Sequence, residues 1–178
     1  MIVSAHDGYP RWLDAGADYI EVDVRRTREG VIVLSHDELR PGATPIRLEE
    51  VVERACGLQL DLKEPGFERE LIRGILTRCP ADKLAVTSDL RESLRIIKAE
   101  FPGVRVGLTA RHVEPFDADF FALDHTHLRA GDLSAGKEIW LWTVDEPRTI
   151  ERYIADERIA GIITNHPDIA VRLRSGGS

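Results

Sequence analysis

The chain has 178 residues, 43% hydrophobic and 31% charged, which suits one soluble globular domain with a sizeable core. Its net charge of −7 argues against a nucleic-acid partner and against electrostatic docking on anionic lipid, and no apolar stretch approaches the roughly 20 residues needed to cross a bilayer. Met1 runs almost directly into Ile2-Val3-Ser4-Ala5-His6 with no basic-then-apolar leader, and Cys56 and Cys79 lack metal-ligand spacing, so both read as reduced packing residues of a cytoplasmic protein.

The first apolar run covers residues 2–6. Residues 7–18 then leave room for one or two helical turns before the second run at 19–24. Residues 25–30, a short basic turn ending in Gly30, lead into 31–35, which reads as a hairpin return. From there strands and amphipathic helices alternate. Helix 47–55, strand 58–62, helix 67–78, strand 84–88, helix 91–101 and strand 104–108 follow in turn. Residues 109–118 contain Pro115 and show no amphipathic period. Strand 120–124 precedes residues 127–135, which allow a short helix at best. Strand 139–144, helix 147–155, strand 160–164 and helix 168–174 close the chain, and residues 175–178 read as a frayed tail.

Without the hairpin strand, eight strands remain in βα repeat, the count of a closed (β/α)8 TIM barrel. Such barrels usually take about 250 residues, so the expectation is a trimmed barrel over residues 1–174, with helices shortened or missing after the first, fifth and sixth barrel strands. An open doubly wound sheet would not supply eight parallel strands, and no Gly-rich phosphate loop is present. The uncovered wall should expose apolar strand flanks, and self-association is the simplest cover, which predicts a homo-oligomer.

Chemistry enters where charge interrupts apolar strands. Glu21 and Asp23 lie within Tyr-Ile-Glu-Val-Asp-Val, two residues apart and therefore on one face. Asp61 and Lys63 repeat the spacing in Leu-Gln-Leu-Asp-Leu-Lys. Buried carboxylates cost several kcal/mol each unless paired or bound to metal. The carboxyl ends of barrel strands, where catalytic residues collect, also carry His6, His36, His125 and Trp142. Two histidines, three carboxylates and a lysine on one rim suit metal-assisted cleavage of a phosphodiester, with Mg2+ or Ca2+ on hard oxygen ligands and the histidines as base and acid. An ion pair of the acids with Arg25 or Lys63 is the structural alternative. Trp140 is expected inside the barrel and Trp142 on the pocket wall, whereas His112, His127 and His166 read as surface or loop residues.

Taken in order, Ala5-His6-x-Gly8, Ala15-Gly16-Ala17-Asp18-Tyr19-Ile20-Glu21-Val22-Asp23-Val24, Gly30-Val31-Ile32-Val33-Leu34-Ser35-His36-Asp37, Leu60-Asp61-Leu62-Lys63, Trp142-Thr143-Val144-Asp145 and Gly161-Ile162-Ile163-Thr164-Asn165-x-Pro167-Asp168 resemble the glycerophosphodiester phosphodiesterase family over nearly the whole chain. The resemblance implies a (β/α)8 barrel that hydrolyses glycerophosphodiesters to glycerol phosphate and an alcohol with a divalent cation. It implies that Glu21, Asp23 and Asp61 hold the metal, that His6 and His36 exchange protons, that Lys63 contacts phosphate and that Trp142 lines the substrate pocket. The chain departs from the family pattern at three points: Asp7 replaces the Arg that normally follows the first His, the Glu-Asn-Thr segment of the first crossover is missing, and Asp61 replaces the usual Glu. Arg25, on the inward face nearer the rim than Asp23, is the candidate replacement for the lost phosphate fork. Sphingomyelinase D-type phospholipases, which form a cyclic phosphate, also look like Ile-Glu-Val-Asp-Val and Leu-Asp-Leu-Lys and lack the Arg. Two alternatives therefore stand beside hydrolysis of a glycerophosphodiester or lysophospholipid: a lyase forming a cyclic phosphate, and a degenerate barrel that binds metal and phosphate without turnover.

Overall fold

The computed structural model describes residues 1–55 and 57–176; Cys56 and the end of the expected tail, Gly177 and Ser178, lie outside the described residues. Eight parallel strands form the barrel: β1 (Ile2–Ala5), β2 (Tyr19–Arg26), β4 (Leu58–Leu62), β5 (Leu84–Ser88), β6 (Arg105–Ala110), β7 (Phe120–Asp124), β8 (Ile139–Trp142) and β9 (Gly161–Thr164). Neighbours follow the order β1-β9-β8-β7-β6-β5-β4-β2, and β1 returns to β2 through Ser4↔Tyr19 and Ala5↔Ile20, which closes the cylinder. The extra strand β3 (Ile32–Leu34) runs antiparallel to the end of β2, with Val24↔Leu34 and Arg26↔Ile32 in register. Because β2 gives its other edge to β4, β1 and β3 share the remaining edge in succession. This arrangement carries the β3 tip back over the mouth of the barrel.

The outer layer holds α1 (Leu48–Val52), α2 (Glu68–Leu76), α3 (Arg91–Glu100), α4 (Ala130–Leu133), α5 (Pro147–Ile154) and α6 (Pro167–Arg174). The trimming falls where the sequence placed it. No helix separates β1 from β2 or β6 from β7, and after β7 stand only a 3₁₀ turn, His125–His127, and the single turn of α4. Proline at the start of α5 and α6 presets the helical φ and sacrifices an N–H that the first turn leaves unpaired anyway. Ser175 and Gly176 donate their backbone N–H groups to the Val171 and Leu173 carbonyls, extending the hydrogen bonding of α6.

Strand alternation sorts the side chains. Val3, Ala5, Val22, Val24, Leu60 and Leu62 point outward into the main core beneath the helices, whereas Glu21, Asp23, Gln59 and Asp61 point inward. The lower barrel is filled by an aromatic plug. Phe120 stacks on Trp140 with ring centroids 4.0 Å apart, and Tyr19 tilts against Trp140 at 5.5 Å. Gly107 and Gly161 make the plug possible, since a Cβ would stand 2.3 Å from the Phe120 ring at the first and 2.9 Å from Trp140 at the second. Trp140 is fully buried inside the barrel, as expected. Truncating an aromatic of this kind costs about 3–5 kcal/mol.

The expected exposed flanks are absent. Trp12, Leu13 and Ala17 from the β1–β2 connection, and Val113, Phe116, Leu128 and Leu133 from the later loops, pack against the core in place of helices. Among the described residues the exposed large apolar side chain is Ile46, at 37%. The loops cover the wall themselves, which removes the physical reason for expecting a homo-oligomer. No helix among the described residues is long and apolar enough to cross a membrane. Cys79 is a buried free thiol whose pKa is pushed up by burial.

Candidate active site

At the carboxyl ends of the strands a cavity of about 320 Å3 opens, lined by His6, Glu21, Asp23, His36, Gln59, Asp61, Lys63, Thr87, Thr109, Ala122, Trp142, Thr143 and Ile163. Seven of the nine site residues expected from the sequence meet here.

β2 and β4 bring the acids together in register, with Asp23 opposite Asp61 and Glu21 opposite Gln59. Lys63 bridges two of them, its Nζ donating to Asp61 Oδ2 at 2.5 Å and standing 2.9 Å from Asp23 Oδ1. Burial pulls the Lys63 ammonium down, but the Asp61 and Asp23 carboxylates outweigh it and hold the pKa above the ordinary lysine value. Burial raises the Asp61 pKa and Asp23 adds to the rise, against the opposing pull of Lys63. Glu21 is pushed furthest: it is wholly buried, it faces Asp23 and Asp61, and its pKa stands well above the usual carboxylate range. Its hydrogen bond comes from the Asp7 backbone N–H at 3.0 Å. Asp7 makes that bond from a left-handed conformation, φ 47°, that Asp tolerates better than most residues. One ammonium therefore serves three carboxyl groups, contacting Asp61 and Asp23, and Glu21 is the one whose ionised form is least favoured.

The histidines flank this cluster. The β3 hairpin carries the chain back so that the Ser35 N–H donates to the Asp23 carbonyl, which sets His36 Nδ1 2.7 Å from Asp23 Oδ2. His6, just past β1, has Nδ1 3.0 Å from Asn165 Oδ1. Asn165 is itself fixed, because its Nδ2 and its backbone N–H both donate to Asp145 at 2.8 Å. The orientation of that amide requires His6 Nδ1 to be the donor, which leaves Nε2 with the lone pair in the neutral ring. Each histidine is thus held by one nitrogen and free at the other.

Arg25 and His125 are not brought into the cavity. Arg25 binds the His36 carbonyl through Nε and Nη2 at 3.2 and 3.0 Å, and its Nη1 pairs with Glu64. It holds the hairpin tip and does not face the pocket. His125 sits in the 3₁₀ turn with its ring edge-on to Tyr153, 6.1 Å between centroids. Trp142 lines the cavity at the end of β8. Among the described residues no group of three or more His, Cys, Asp or Glu side chains stands in chelating geometry, since Asp23 and Asp61 are turned onto Lys63.

Residues 8–62 match the profile described as the glycerophosphoryl diester phosphodiesterase family. A curated glycerophosphodiester phosphodiesterase from Caldanaerobacter subterraneus subsp. tengcongensis is 26% identical over 222 aligned positions, spanning 95% of this chain and 91% of the relative. Over these stretches the chain is similar to glycerophosphodiester phosphodiesterases. Solved structures agree on the fold. A glycerophosphodiester phosphodiesterase from Thermotoga maritima superposes with a TM-score of 0.76 at 21% identity, covering 98% of each chain. A phosphodiesterase from Oleispira antarctica, in complex with the product sn-glycerol-3-phosphate, superposes with a TM-score of 0.80 at 17% identity, covering 98% of this chain and 97% of that one. Asp7 holds Glu21 through its backbone N–H, a contact that does not depend on the Asp7 side chain. Sequence reasoning missed Asn165, although it lay in a quoted motif, and also Gln59, Thr87 and Thr109, which had no signal because Thr and Gln are unremarkable in strands.

Proposed function

We propose that the chain is a metal-dependent phosphodiesterase that cleaves a glycerophosphodiester or lysophospholipid-type substrate by proton transfer through His6 and His36. The supporting observation is the histidine pair, each ring anchored at Nδ1 and free at Nε2, on either side of a buried acid cluster. A binding protein has no need of two proton carriers poised in this way.

The donor set fits a divalent cation. Glu21, Asp23 and Asp61 supply hard carboxylate oxygens, and Glu21 is a buried carboxylate without a cationic partner of its own. Magnesium or calcium held there would offset the charge of the phosphoryl oxygens. Lys63, anchored between Asp61 and Asp23, adds a fixed positive charge for a non-bridging phosphate oxygen. His6, with its lone pair on Nε2, takes the proton from the attacking hydroxyl, whether that belongs to water or to the substrate's own alcohol. His36 gives its proton to the departing alkoxide, and Asp23 keeps that ring oriented. Water gives an open phosphomonoester and the internal alcohol gives a cyclic one, so the product identifies the attacking group.

The reading is tested on a panel of diesters with magnesium or calcium, with and without chelator, by following glycerol phosphate and cyclic product. The expected result is release of one of these, abolished by chelation and by His6→Ala with His36→Ala. Turnover persisting in that double variant would overturn the assignment, and a chain that binds glycerol phosphate without cleaving any diester would be the degenerate barrel instead.

A further inference from the structure

A second cavity adjoins the first and holds neither of the proposed proton carriers. Beside the β2–β3 hairpin, a groove of about 810 Å3 is lined by Arg25, Arg26, Arg28 and Arg40, and Lys63 lines both this groove and the catalytic cavity. Four arginines between positions 25 and 40 form a local cationic patch in a chain whose net charge is −7. We propose that the groove receives a second phosphate group carried by the leaving alcohol, so that diesters with a phosphorylated alcohol half are the favoured substrates. The inference rests on the proposed function and extends it from the scissile phosphate to the alcohol.

Charge and pairing define the ligand. Five cationic side chains line the groove against three acidic ones, Glu29, Glu38 and Glu64, so the surplus is positive. Glu64 is spent on the Arg25 guanidinium and on the Arg26 backbone N–H. Arg26 itself pairs with Glu70 and lies 5.3 Å from the Phe67 ring. Arg28, in the hairpin turn, and Arg40, in the loop after His36, are exposed. Among the described residues no carboxylate stands within 4.0 Å of either guanidinium. Two unpaired guanidinium groups match the double charge and the several acceptor oxygens of a terminal phosphate, where a carboxylate would offset only one of them. The groove also lies on the side of the alcohol. His36, the proposed donor to the departing alkoxide, follows the same hairpin, and Arg25, which lines the groove, binds the His36 carbonyl. Lys63 forms the shared wall, so a substrate with its scissile phosphate against Lys63 can lay its alcohol along the arginines.

The test uses diesters of glycerol phosphate with plain alkanols, from propyl to hexyl, and with the same alcohols bearing a terminal phosphate. With magnesium present, kcat/KM is measured for the wild type, for Arg28→Gln with Arg40→Gln, and for Arg73→Gln with Arg172→Gln. The last pair removes the same charge from exposed positions on α2 and α6, outside the groove. Wild type is expected to favour the phosphorylated alcohol by about 10-fold or more at one or more chain lengths. The groove variant should lose that preference while its rate on the plain alkyl diester is unchanged, and the control should keep it. Added salt should shrink the preference, because exposed charges are screened. Equal kcat/KM for both alcohols at every length, or equal loss of preference in the two double variants, would overturn the groove and leave the phosphodiesterase standing. Affinities for alkyl phosphates and the matching alkanediol bisphosphates, read by calorimetry on the same preparations, need no turnover. A bisphosphate preference that depends on Arg28 and Arg40 in a protein that cleaves nothing would keep the groove and remove the phosphodiesterase; absence of that preference in such a protein would remove both.

Discussion

The cavity has two unlike halves. The strands from β1 to β4 contribute His6, Glu21, Asp23, His36, Asp61 and Lys63, and the strands from β5 to β9 contribute Thr87, Thr109, Ala122, Trp142 and Ile163. The first half is charged and knitted to itself and its backing: Asp145 to Asn165 to His6 on one side, His36 to Asp23 to Lys63 to Asp61 on the other. The second half is neutral, and two of its polar atoms, on Thr109 and Trp142, have no protein partner. Groups that pair with each other are preorganised for charge and proton movement. The halves therefore differ in charge and in internal pairing, and the family profile, matching residues 8–62, falls mostly on the charged half.

The division would be broken most decisively at His36. With His36 as the proposed proton donor to the departing alkoxide, His36→Ala should lower turnover of an alkyl diester by about 10²–10⁴-fold. The same variant should lose far less on a diester with a 4-nitrophenyl leaving group, which departs without a proton. Steady-state rates on the two substrates check this. Equal losses on both would make His36 a structural support for Asp23, and His6→Ala, which removes the proposed base, should impair both substrates alike.

A smaller effect is expected one step behind the charged wall. Asn165 touches no cavity space of its own but fixes the tautomer and the plane of His6. Asn165→Ala should reduce kcat by roughly 10- to 100-fold, with KM little altered, because a misplaced base loses geometry and not affinity. A change confined to KM would instead put Asn165 among the substrate contacts and blur the line between the two halves.

The same contrast explains what could be read without coordinates. A carboxylate in an apolar strand is costly, so Glu21, Asp23 and Asp61 announced themselves, and period-two alternation already placed them on one face. The eight-strand count and the missing helices followed from run lengths and Pro115. Thr109 and Gln59 carried no such signal, since neutral polar residues sit in ordinary strands at little expense. What matters about them is an unpaired atom, a property of the neighbours that closure of the barrel supplies. Arg25 shows the opposite error. Beyond the end of the β2–β4 pairing its partners are the His36 carbonyl and Glu64, and these claim the guanidinium. The exposed flanks failed for a similar reason, because loops without helical period still carried Trp12, Leu13 and Phe116 to cover the wall.

The smallest effect separates the costly acid of the site from an equally buried acid elsewhere. Glu68 is 5% exposed, yet Ser93 Oγ donates to it at 2.6 Å and the Gly66 N–H at 3.0 Å. Burial alone would raise its pKa, but these hydrogen bonds prevail and hold it below the ordinary 4.5, the reverse of Glu21. A carboxylate whose folded pKa is depressed stabilises the fold above its unfolded value and loses that contribution as the pH falls through the folded one. Ser93→Ala should therefore cost about 1–2 kcal/mol at pH values near 7, read by urea unfolding, and progressively less as the pH falls through the depressed folded pKa of Glu68, below which the carboxyl is protonated in both states. Turnover should be unchanged, because Glu68 lies at the start of α2 and Ser93 in α3, outside the cavity. If the loss of stability were the same at pH 3 and pH 7, the Ser93 contact would be packing and not charge stabilisation, and the two glutamates would no longer mark the difference between an acid that its fold satisfies and one that it leaves for a ligand.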